Sequence, residues 1–81
     1  MVFVIFLTRP GCHLCEDALP VARRAARWAR QELRIVDIET DDGLIVEYGL
    51  RIPVVTTDRG VVLAEGRIQF ASLLRAAMFN R

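Results

Sequence analysis

Eighty-one residues, 53% hydrophobic and 26% charged with few glycines and prolines, describe one globular domain near the smallest size at which a single hydrophobic core suffices, and they exclude a disordered chain. A net charge of +1 excludes bulk attraction to nucleic acid or to a membrane surface, and no apolar run approaches the ~20 residues of a transmembrane helix. All eleven basic residues are arginine, so cationic help to an anionic centre comes from a permanent guanidinium charge or from the single histidine.

In chain order, Val2-Phe3-Val4-Ile5-Phe6-Leu7 is continuous, β-branched and aromatic, the pattern of a central strand buried on both faces. As a targeting segment, Met1 to Leu7 is too short for a signal core, with no basic residue before it and no small-residue cleavage site after it, so a cytoplasmic location is expected. Thr8-Arg9-Pro10-Gly11-Cys12-His13-Leu14-Cys15 then joins this strand to a helical pattern and holds both cysteines. Pro10-Gly11 makes the junction a surface turn. A Cys-x-x-Cys pair opening a helix puts its first sulfur where unpaired N–H groups and the helix dipole favour a thiolate. The second sulfur lies one turn on, so the pair can close and open a small disulfide ring. In a reducing compartment such a pair reads as catalytic, redox-sensing or metal-binding. A structural zinc site needs four ligands, and the chain adds only His13, wedged between the cysteines, so no metal site within one chain is expected.

Leu14, Ala18, Val21, Ala25 and Trp28 recur at helical spacing, with Ala22, Ala26, Ala29 and Leu33 broadening the stripe, which predicts a long first helix over roughly residues 13–31. Pro20 lacks an N–H and crowds the Glu16 carbonyl, so a kink is expected there. Arg23, Arg27, Arg30 and Arg34 fall on one side of that helix, either as a solvated face or as a docking stripe. Residues 34–38 read as the second strand. Thr40-Asp41-Asp42 supplies the cap and first-turn acids of a short helix ending near Tyr48 with Gly49 as its stop, completing a parallel β-α-β crossover. The acids Asp37, Glu39, Asp41 and Asp42 lack calcium-loop spacing and are read as a cap plus solvated loop. Residues 53–58 and 61–64 form an antiparallel hairpin around Arg59-Gly60. The Ile52-Pro53 bond is open to either isomer: a cis bond marks a tight functional turn, and an ordinary trans proline opens an edge strand. After Glu65-Gly66, a last helix turns Ile68, Phe70, Leu73, Leu74 and Ala77 inward. The order is β-α-β-α-β-β-α in one domain, residues 1–81.

This layout resembles the glutaredoxin-like group of small thioredoxin-fold proteins over essentially the whole chain. The resemblance rests on the strand leading into Cys12-His13-Leu14-Cys15, the helix after it, the Tyr48-Gly49-Leu50-Arg51-Ile52-Pro53 approach to a strand, and the closing hairpin and helix. It implies an α/β fold with a four-stranded mixed sheet flanked by three helices, Cys12 and Cys15 as the redox centre, and a cis Pro53 packed beside them. It further implies that Ile52 offers backbone groups to an extended substrate strand. Arg9 matches the basic position that pairs with a glutathione carboxylate. Glutaredoxins typically carry Cys-Pro-Tyr-Cys, Thr-Val-Pro and a Gly-Gly with a nearby Asp; this chain has Cys-His-Leu-Cys, Arg51-Ile52-Pro53 and Glu65-Gly66-Arg67. Pro20 and Ile52-Pro53 match thioredoxins, whereas Gly11 replaces the thioredoxin tryptophan and residues 2–7 hold no carboxylate.

The expected function is dithiol–disulfide exchange, in which Cys12 attacks a substrate disulfide and Cys15 resolves the mixed disulfide. His13 either stabilises the thiolate when protonated or is a solvent-facing helix residue. The resemblance implies disulfide-containing protein substrates, electrons from glutathione or a thioredoxin-type reductase, a monomer, and no tightly bound cofactor. Two other readings are open: an iron–sulfur or metal carrier, in which a dimer supplies four thiolates, and a redox-inert interaction module built on the arginine stripe.

Overall fold

The structure, a computed structural model, describes residues 2–80; Met1 and Arg81, the ends of the expected 1–81 domain, lie outside them. Strand β1 (Phe3–Thr8) leads into helix α1 (His13–Trp28), strand β2 (Glu32–Asp37) and a 3₁₀ turn at Ile38–Thr40. Helix α2 (Asp42–Tyr48), the hairpin of β3 (Val54–Thr57) and β4 (Val62–Glu65), and helix α3 (Phe70–Phe79) complete the chain. The strands form one mixed sheet in the order β2-β1-β3-β4. β1 runs parallel to β2, with Phe6 opposite Ile35, and antiparallel to β3, with Phe6 opposite Val55. The fold is therefore the expected α/β arrangement of four strands and three helices.

Strand alternation divides the core into two layers. On one face Val4, Phe6 and Val55 pack with Cys15, Ala18, Ala22, Ala25 and Ala26 of α1 and Leu73 of α3. On the other, Leu7, Ile38 and Val54 pack with Ile5, Val36, Leu44, Ile45 and Tyr48, under α2. Burial of β1 is not complete along its length as the sequence suggests: Phe3 and Ile5 stay half-buried. With only seven residues, α2 is too short to cover the whole second face, and the Phe3 ring is instead capped by the Arg34 guanidinium, 3.6 Å from its centroid.

The buried stripe of α1 differs from the expected one. Alanines 18, 22, 25, 26 and 29 face inward with Cys15, whereas Leu14 and Trp28 are 47% and 68% exposed. Small side chains let the helix lie close to the sheet and to α3, and the bulky residues fall off that seam. Pro20 lies inside α1 without ending it. The helix stops at Trp28 rather than near residue 31, because Arg30 takes the left-handed conformation at φ 58°. Its N–H donates to the Arg27 carbonyl and the Gln31 N–H to the Ala26 carbonyl, the paired bonds of a Schellman termination.

This stop dissolves the expected arginine stripe. Arg23 and Arg27 remain exposed on α1, but Arg30 sits in the turn and Arg34 on β2, where it pairs with Glu32 at 3.0 Å. Buried Gln31 turns inward instead and donates its side-chain amide to the Ala77 carbonyl, tying the start of β2 to α3. Asp41 caps α2 through the Gly43 and Leu44 N–H groups, and Asp37 caps the 3₁₀ turn through Glu39 N–H, so these acids serve backbone groups. No described helix is long and apolar enough to cross a membrane.

Candidate active site

β1 delivers the chain to the sheet edge at Thr8, and the Pro10-Gly11 turn redirects it into α1. Gly11 takes φ 81°, a conformation that costs an L side chain about 1–2 kcal/mol. Cys12 follows in extended conformation as the N-cap of α1: its sulfur accepts the Cys15 N–H at 3.1 Å and its carbonyl accepts the Glu16 N–H at 3.0 Å. The sulfur thus occupies the place usually taken by a serine or aspartate oxygen. Cys12 and Cys15 are disulfide-paired with Cα atoms 5.2 Å apart. They differ in burial: Cys12 is half-buried at the rim of the core, while Cys15 is 2% exposed within it.

The two cationic candidates point elsewhere. Arg9 directs Nε and Nη2 at one oxygen of Glu39, 3.1 and 2.8 Å away across the loop from the 3₁₀ turn. The His13 side chain is 94% exposed, with Nδ1 3.7 Å from a Glu16 carboxylate oxygen. The field on the Cys12 sulfur therefore comes chiefly from the helix N-terminus, including the N–H it directly accepts. Among the described residues no group of three or more His, Cys, Asp or Glu side chains is placed to share a metal ion.

The Ile52–Pro53 segment reaches the same core edge from the other side of the sheet. The bond is cis, Pro53 is fully buried, and half-buried Ile52 packs against both core layers, including the one that holds the cysteines. Ile52 N–H donates to the Tyr48 carbonyl at 3.1 Å, so of its backbone groups only the carbonyl remains for an incoming strand. The Pro53 carbonyl accepts the Gly66 N–H at 2.8 Å. Gly66, at φ 71°, begins a turn that forms one wall of an open groove of about 320 Å³. The groove runs between Leu14, Asp17 and Ala18 of α1 and residues 66–69, which explains why Leu14, between the cysteines, is left out of the core.

Sequence reading missed the groove and the role of Arg51. That guanidinium donates from Nε to Glu65 at 2.7 Å and from Nη1 to Glu47 at 2.9 Å, and it lies 5.1 Å from the centre of the Tyr48 ring. The Glu65 hydrogen bond raises its pKa further above the ordinary arginine value, so it is charged at every working pH. Glu47 is four residues before Arg51, a spacing visible in the sequence; Glu65 is fourteen after it and comes near only through the hairpin.

A protein family described as "Glutaredoxin-like domain (DUF836)" matches residues 3–76. Among solved structures, an X-ray structure of an X. campestris protein is 29% identical, covers 89% of this chain and 91% of its own, and superposes with a TM-score of 0.69. A solution structure of a Nitrosomonas europaea protein, 23% identical over 89% of this chain and 86% of its own, superposes at 0.73. A malarial protein only 16% identical, covering 94% and 92%, superposes at 0.67, a likeness of fold. No curated protein matches the chain.

Proposed function

This chain belongs to the glutaredoxin-like domain family, and from that membership and the site geometry we propose that it is a thiol–disulfide oxidoreductase reducing protein or glutathione mixed disulfides through Cys12 and Cys15. The observation that carries this reading is the asymmetry of the pair: one sulfur at the rim on a helix N-terminus, accepting a backbone N–H, and the other sealed in the core. Helix N-termini and similar settings lower cysteine pKa values to roughly 3.5–7.5, which keeps an appreciable thiolate fraction near neutral pH.

In the reduced protein the Cys12 thiolate attacks one sulfur of a substrate disulfide. A Cys12–substrate bond forms, the substrate S–S bond breaks, and the first substrate thiol leaves as a thiolate that takes a proton from water. Cys15, once deprotonated, attacks the Cys12 sulfur; the Cys12–Cys15 bond forms and the second substrate thiol leaves. Two electrons pass from the dithiol to the substrate, and two external thiols, from glutathione or a thioredoxin-type reductase, restore the reduced pair. Ile52 supports this by offering its carbonyl to an extended chain, and exposed Leu14, the residue before Cys15, by lining the groove between α1 and residues 66–69. His13, exposed and facing Glu16, serves as a solvent-side residue. Glu39 holds the Nε and Nη2 edge of Arg9, so a substrate carboxylate meets Arg9 through Nη1 or in competition with Glu39.

Intact mass after equilibration in glutathione buffers of graded poise, with acid quench and alkylation of free thiols, tests the proposal. Reversible conversion of a two-thiol form into the Cys12–Cys15 disulfide is expected, with a midpoint between about −300 and −120 mV. Two thiols that never close, or copurifying metal that protects them, would overturn it.

A further inference from the structure

Arg51 touches neither sulfur, yet its side chain bonds to residues on both sides of the Ile52–Pro53 segment. Its guanidinium joins Glu47, in the last turn of α2, to Glu65, the last residue of β4. Its own N–H and that of Ile52 both donate to the Tyr48 carbonyl, at 2.8 and 3.1 Å. The residue after Glu65 is Gly66, whose N–H holds the Pro53 carbonyl and whose turn walls the groove. One side chain therefore links the two supports of the Ile52–Pro53 segment, α2 on one side and the β4–α3 turn on the other. Glu47 and Glu65 both direct a carboxylate at this point, so removing the guanidinium does more than cut two bonds. It leaves two like charges without the cation between them, so α2 and the end of β4 lose the link that joins them. Lysine replaces the link only in part, since its ammonium restores a positive charge but lacks two separated N–H edges in one plane.

Resting on the oxidoreductase reading above, we infer that Arg51 is a positioning residue: it sets the Ile52 carbonyl and the groove wall in register, so that a polypeptide disulfide lies across the Cys12 sulfur. It acts on how the substrate chain is held and not on the reactivity of the sulfur.

The test separates those two effects. Reduced wild type, Arg51→Gln, Arg51→Lys and Glu65→Gln are assayed with a peptide disulfide for kcat and KM, and separately for the rate of Cys12 alkylation by iodoacetamide. That reagent is too small to need the Ile52 carbonyl or the groove. Arg51→Gln is expected to raise KM about fivefold, the scale of an exposed ion pair, with kcat and the alkylation rate unchanged. Glu65→Gln, which keeps the guanidinium and Glu47, raises KM less, and Arg51→Lys recovers part of the loss. An unchanged KM in Arg51→Gln overturns the inference. So does a fall in alkylation rate that parallels the loss, because it makes the residue a general support of the fold. Should Arg51→Gln fail to fold, an unchanged KM in Glu65→Gln overturns it equally. A wild type that closes no disulfide and turns over no peptide overturns the oxidoreductase reading itself, an outcome read before any variant is compared.

Discussion

Replacing Arg30 by glycine distinguishes two accounts of how α1 ends, because they differ in sign. Arg30 is exposed and takes φ 58°, and its bond to Arg27 and that of Gln31 to Ala26 are backbone bonds that glycine keeps. A left-handed L-residue costs roughly 1–2 kcal/mol, which glycine removes, and glycine's added freedom in the unfolded chain takes back about 0.5–1 kcal/mol. The net expectation is a stabilisation of about 0.5–1 kcal/mol. If the helix instead ran to residue 31, as apolar spacing alone suggests, glycine would stand in a helix and cost about 1 kcal/mol. For a domain of this size 1 kcal/mol moves Tm by about 4–8 °C, so Arg30→Gly is expected to rise by about 2–8 °C. Thermal unfolding by circular dichroism on the oxidised protein measures the shift, with Arg23→Gly, exposed in mid-helix, expected to fall by about 1 kcal/mol. Both variants moving downward together would refute the termination described here.

Three further substitutions address the site. Cys12→Ser is expected to abolish disulfide exchange, whereas Cys15→Ser should accumulate a covalent substrate adduct at Cys12, visible by intact mass and released by added thiol; equal activity in the two variants would reverse or remove the assigned roles. Glu39→Gln removes the charge that occupies Arg9 in a pair whose side chains are 37% and 45% exposed. Exposed pairs are worth at most about 1 kcal/mol, so KM for a glutathione mixed disulfide should fall by about two- to fivefold, with little change for a peptide disulfide lacking a nearby carboxylate. An equal effect on both substrates would mean that Arg9 does not meet the glutathione carboxylate.

What the sequence determined by itself is local. The β-α-β-α-β-β-α order follows from apolar runs, helical spacing and turn residues, each read within a dozen positions. The placement of Cys12 and Cys15 at a helix start follows equally from the strand, the Pro10-Gly11 turn and the apolar spacing around them, and so does the Asp41 cap of α2. The tertiary structure decided which residues of a periodic stripe face inward. Leu14 and Trp28 fit the stripe as well as the alanines do, but close packing of α1 on the sheet and α3 leaves room at that seam only for small side chains. It also decided the partners of the charged groups. Arg9 pairs with Glu39 and Arg51 with Glu65 because the crossover and the hairpin bring together positions thirty and fourteen residues apart. A charge carries no periodic signal that marks its partner, since Coulomb attraction acts on whichever opposite charge the fold brings within reach.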